Sequence, residues 1–78
     1  MAIFFTHSSL GSDLAEDREG NEFDDLQSAR RDALMAGRLI VADEIRMGSN
    51  AVDLKLYVDD ERGNRVATLT YTAMVVSL

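Results

Sequence analysis

The sequence predicts an α+β domain: one long helix packed on one face of a small three- to four-stranded antiparallel sheet, in the order β-(β)-α-β-β. Three observations carry that prediction. A proline-free stretch with helical periodicity runs from Leu26 to Met47. Ala51 to Asp59 alternates apolar and polar residues, the pattern of a half-buried strand. The polar turn Asp60 to Asn64 then leads into a second β-rich stretch, so the last two strands form an antiparallel hairpin. A single helix covers one sheet face.

The first element is Ala2 to Ser8, a β-branched and aromatic stretch suited to a strand. Ile3, Phe5 and His7 share one face, and Phe4, Thr6 and Ser8 the other. Ser8-Ser9-Leu10-Gly11-Ser12 reads as a turn. Leu14 to Phe23 reads as an acidic loop holding one short strand, with Gly20-Asn21 as a turn signal.

The helix starts at Leu26 behind an N-cap supplied by Asp24 or Asp25, and Asp24-x-x-Gln27 has capping-box spacing. It stops at Gly48-Ser49-Asn50. At 1.5 Å per residue its length is roughly 33 Å. Acids precede its start and Arg46 lies in its last turn, both in the sense favoured by the helix dipole. Steps of 100° place Leu26, Ala29, Ala33, Ala36, Gly37, Ile40, Val41 and Met47 on one broad face. Small residues fill its middle. Gly37 costs about 1 kcal/mol of helix propensity relative to alanine, and close approach to the sheet is the physical reason to accept that cost. Met35, Leu39 and Ala42 form a narrow apolar stripe on the opposite side.

In the fourth element Val52, Leu54, Leu56 and Val58 point one way and Asp53, Lys55, Tyr57 and Asp59 the other. In the last, Arg65 to about Val76, Leu69, Tyr71, Ala73 and Val75 oppose Thr68, Thr70 and Thr72. Met74 and Val76 make both faces apolar at its end.

Composition narrows the function classes. With 78 residues the chain is expected to form a single domain spanning 1–78. A domain this small buries a limited core and usually needs a staple. Cysteine is absent and histidine occurs once, so disulfides, thiolate zinc sites and histidine-rich metal sites are excluded. Oligomerisation remains. No apolar stretch approaches the ~20 residues of a membrane span, and the protein is expected to be cytoplasmic.

The net charge of -6 sits in one segment. Residues 13–25 hold seven acids and one base, and the rest of the chain is balanced. Nucleic-acid binding needs a basic face to displace counterions, and anionic membranes are disfavoured for the same reason. Neither partner is expected.

Candidate chemistry is sparse. His7 beside Ser8 and Ser9 suggests a base and a nucleophile, yet neighbouring strand residues point to opposite faces. A rim histidine is the expected role. With Gly20 as the sixth position of a calcium loop, the first would be Ala15 and the twelfth Leu26, so that pattern fails at both ends. A looser cation site would use Asp17, Glu19 and Glu22. Phe4 and Tyr57 on the open sheet face would resemble a base-stacking surface, against the charge of the chain. No catalytic residue, cofactor or metal ligand is assigned.

Phe4-Phe5-x-His7, Asp17-x-Glu19-Gly20-x-Glu22-Phe23-x-Asp25-Leu26-x-x-Ala29-Arg30-x-x-Ala33 and the hairpin Val58 to Val66 together resemble a family of short uncharacterised bacterial proteins classed as a domain of unknown function. The resemblance covers most of the chain. It departs after His7, where Ser8-Ser9-Leu10-Gly11 stands in place of an Asp-Gly turn. It implies the fold and no activity. Asp25-Leu26-x-x-Ala29-x-x-x-Ala33 is also similar to the start of antitoxin-type domains of bacterial toxin–antitoxin pairs, which bind a partner protein; the pattern mostly encodes a capped amphipathic helix.

The expected function is therefore a non-catalytic interaction or regulatory role, through oligomerisation as a homodimer or through a protein partner. Met35, Leu39, Ala42, Met74 and Val76 are the expected interface. The alternative is a metal-dependent or enzymatic module centred on His7 and the acidic loop 13–25.

Overall fold

Burial of the alternating strand residues beneath a helix with a small-residue face sets the architecture. A computed structural model describes residues 1–75. The elements are β1 (Ala2–Leu10), β2 (Asp13–Ala15), β3 (Asn21–Phe23), α1 (Leu26–Arg46), β4 (Ala51–Asp59) and β5 (Arg65–Met74). They make one antiparallel five-stranded sheet with the helix on one face. The class agrees with the sequence prediction, and the strand count is higher. β1 pairs with β4 on one side; on its other side β2 pairs with Ser8, Ser9 and Leu10, and β3 with Ala2, Ile3 and Phe4. The expected turn at Ser8 begins only at Gly11, because Ser8 to Leu10 hydrogen-bond to two neighbours and stay extended.

Asp25 caps the helix. Its carboxylate accepts the Ser28 N–H at 2.8 Å, so the bond falls one residue later than the Asp24–Gln27 spacing suggested. Met47 ends the helix, with its N–H on the Asp43 carbonyl at 2.9 Å.

The core joins Phe4, Ala29, Ala33, Val52, Leu54, Leu56 and Val58. β4 is its centre, flanked by β1 and β5 and covered by α1. Ala29, Ala33 and Gly37 are the buried helix residues. Leu26, Ala36 and Met47 are exposed, because the buried stripe is narrower than the predicted face. At Gly37 a Cβ would overlap the Tyr71 ring. The Tyr71 hydroxyl donates to the Leu34 carbonyl at 2.9 Å, clamping β5 to the middle of the helix. Burial under α1 raises the Tyr71 phenol above its ordinary value of 10.0.

Phe4 is buried on the helix side of the sheet, and β1 alternation puts Ile3, Phe5 and His7 on the open side. Phe4 and Tyr57 therefore lie on opposite faces, and the base-stacking surface weighed against the charge of the chain is not formed. Both faces of β1 are apolar enough to be inner, and only its pairing with β4 selects one. Among the described residues no helix is long and apolar enough to cross a membrane.

Candidate functional site

The polar residues of the open sheet face converge at the β1/β4 pair. His7 lies directly opposite Tyr57, Phe5 opposite Asp59, and Asp59 opposite Arg65 of β5. These registers bring His7, Tyr57, Asp59 and Arg65 to one patch. A groove there is lined by His7, Leu14, Glu16, Tyr57, Asp59 and Arg65.

His7 is held at the centre of this patch rather than on a rim, with its side chain 19% exposed. Its Nδ1 accepts the Asp17 backbone N–H at 3.0 Å. An accepting Nδ1 carries no proton, so the ring proton sits on Nε2. Nε2 in turn lies 3.2 Å from Asp59 Oδ2. Asp59 Oδ1 accepts from Arg65 Nε at 3.1 Å, and the Arg65 guanidinium stands 4.3 Å from the centroid of the Tyr57 ring, a cation–π distance. His7, Asp59 and Arg65 thus form one connected chain that ends on the Tyr57 ring.

Asp17 is the second anchor. β2 and β3 leave Phe5, Thr6 and His7 without a strand partner on the outer side of β1, and Asp17 fills that gap. Its carboxylate accepts the N–H groups of Gly20 at 3.0 Å, Thr6 at 3.3 Å and Glu19 at 3.2 Å. Chiefly the Gly20 bond, and with it the Thr6 and Glu19 bonds, holds the Asp17 carboxyl below its ordinary 3.8 against the opposing effect of burial. Gly20 has φ of +73°, and a Cβ there would approach Ile3 Cγ2 to 2.7 Å. The loop conformation thus requires glycine for two independent reasons.

This geometry bears on the chemistry considered from sequence. Ser8 lies on the helix side of β1, opposite Leu56, and does not face the imidazole. The Asp17 carboxylate is directed at backbone donors. Among the described residues no group of three or more His, Asp or Glu side chains could hold a metal ion. The sequence places Asp17 only in a loose cation site with Glu19 and Glu22, and it marks neither Asp59 nor Arg65. Only the Asp-x-Glu-Gly spacing hinted at a carboxylate turning back on its own loop.

The residues expected at an interface fall in two places. Met35 and Leu39 are 53% and 70% exposed on α1. Ala42, also exposed, continues their stripe, and a groove beside it is lined by Leu39, Ile40, Ala42, Asp43 and Arg46. Met74, 81% exposed, ends β5. Val76 lies outside the described residues.

Compared with known families, residues 3–72 match the model of the family described as Domain of unknown function (DUF6894). No curated protein and no solved structure matches the chain.

Proposed function

The chain belongs to the DUF6894 family, and on that premise we propose that it is a small, non-catalytic, cytoplasmic interaction or regulatory protein that acts by self-association as a homodimer and by docking a protein partner. The observation that supports the docking of a partner is the apolar stripe of Met35, Leu39 and Ala42 on α1, and the bare edge of β5 supports self-association. Leu39 alone leaves 70% of its surface in water, although burying such a side chain is worth about 1.5–3 kcal/mol. The closed state of His7 supports a role without chemistry: a base must reach a substrate proton, and both imidazole nitrogens already face groups of the chain itself. The charge of -6, concentrated at 13–25, favours a protein partner over nucleic acid or an anionic membrane.

Light scattering across a concentration series tests the self-association. A mass above the 8.6 kDa of one chain is expected at micromolar concentration. A mass of 8.6 kDa at the highest soluble concentration would remove it.

A further inference from the structure

We propose that β5 is the self-association surface: two copies pair β5 with β5, antiparallel, about a two-fold axis at Thr70, and so join their sheets edge to edge. This rests on the reading that the chain self-associates, and it names the surface and the register.

The two edges of the sheet differ. The outer side of β1 is covered along its length by β2, the Asp17 loop and β3, a segment that carries Asp13, Glu16, Asp17, Glu19 and Glu22. β5 has ten residues and, among the described residues, pairs only with β4. Edge strands are normally blunted by charge, proline, a bulge or shortness. From Val66 to Met74 β5 has no charged residue and no proline, and the one register shift of the hairpin lies at its Arg65 end, between Val58 and Asp59. An edge so long and so bare needs a cover.

The sequence of the strand identifies the cover as a second copy. Val66 to Met74 reads Val-Ala-Thr-Leu-Thr-Tyr-Thr-Ala-Met, a chemical palindrome about Thr70. A two-fold interface must be self-complementary, and antiparallel pairing about Thr70 sets Thr68 opposite Thr72, Leu69 opposite Tyr71, Ala67 opposite Ala73 and Val66 opposite Met74. Threonine meets threonine, alanine meets alanine, and the large side chains meet one another. Threonine pairs are among the cross-strand combinations that stabilise sheets. Shifting the axis to Tyr71 would put Thr68 against Met74 and lose the match. Pairing about Thr70 keeps both helices on one face of the joined sheet. It also brings the second copy against Leu34 and Leu69, which line a groove between α1 and β5.

The chain has no cysteine, so engineered thiols report without background. Directly opposed residues of an antiparallel pair have Cα atoms about 4.5–5.5 Å apart, within reach of a disulfide. Thr70→Cys is expected to cross-link to twice the 8.6 kDa monomer mass under mild oxidation, whereas Lys55→Cys, on the same open face but in β4, and Leu39→Cys, on the helix stripe, are not. Thr68→Cys and Thr72→Cys are each expected to stay uncross-linked alone and to cross-link when mixed. That mixture reads the register even if Thr70→Cys does not fold. If the wild type is dimeric by light scattering but cross-links only through Leu39→Cys, or through no β5 cysteine, the edge pairing is overturned and self-association stands. A monomeric wild type overturns both.

Discussion

Asp17 and His7 meet through a single hydrogen bond from backbone to side chain, the Asp17 N–H on His7 Nδ1 at 3.0 Å. It ties the acidic loop to the one stretch of β1 that neither β2 nor β3 pairs. Asp17 returns the contact, since its carboxylate accepts the Thr6 N–H beside His7. The pair substitutes for a missing ladder and completes the covered edge of the sheet. The segment that looked from composition like a free anionic loop is a splint for β1.

Replacing Asp17 with alanine is expected to cost about 1–2 kcal/mol near neutral pH, the worth of charge-assisted hydrogen bonds reduced for partial exposure. Because the folded-state carboxyl titrates below its ordinary 3.8, its contribution is complete above that value and fades as pH falls through the folded value. Urea titrations of both proteins should therefore differ at pH 7 and converge in acid. A gap that widened on acidification would contradict this assignment.

His7→Ala is expected to lower stability by about 1–2 kcal/mol, through an unsatisfied Asp17 N–H and the loss of the imidazole beside Asp59. The mass in solution and any partner binding should remain those of the wild type. Thermal melts and light scattering check the two halves separately. Loss of function with an unchanged melting temperature would reveal chemistry at this histidine.

Gly37→Ala sets two effects against each other. Helix propensity gains about 1 kcal/mol, but the new methyl group overlaps the Tyr71 ring. Overpacking of this kind costs about 1–3 kcal/mol, and lifting the helix would also break the bond from Tyr71 to Leu34. A net loss of stability is expected in chemical denaturation. A more stable variant would mean that Tyr71 turns aside at no cost.

Much of this fold is legible in the sequence because its signals are local. The helix limits follow from Asp25 and Gly48, the β4 faces from alternation, and the close approach at Gly37 from a glycine set among alanines. β2 and β3 are three residues each, too short for any period to show, and they exist only because β1 offers them an edge. The His7–Asp17–Asp59–Arg65 patch depends on register between three strands and on the positive φ of Gly20, neither of which a linear pattern encodes. The inward turn of Phe4 was hidden because β1 is apolar on both faces. The symmetry of Val66 to Met74 is visible in the sequence, but it acquires meaning only once β5 is known to be an edge.

Amide hydrogen exchange along β5 at increasing protein concentration tests the edge pairing most directly. Alternate amides between Val66 and Met74 point away from β4 and exchange freely in a single copy. They are expected to become protected as concentration rises, by a larger factor than the already paired amides of β1 and β4. Fast exchange of those β5 amides under conditions where light scattering reports a dimer would contradict the account.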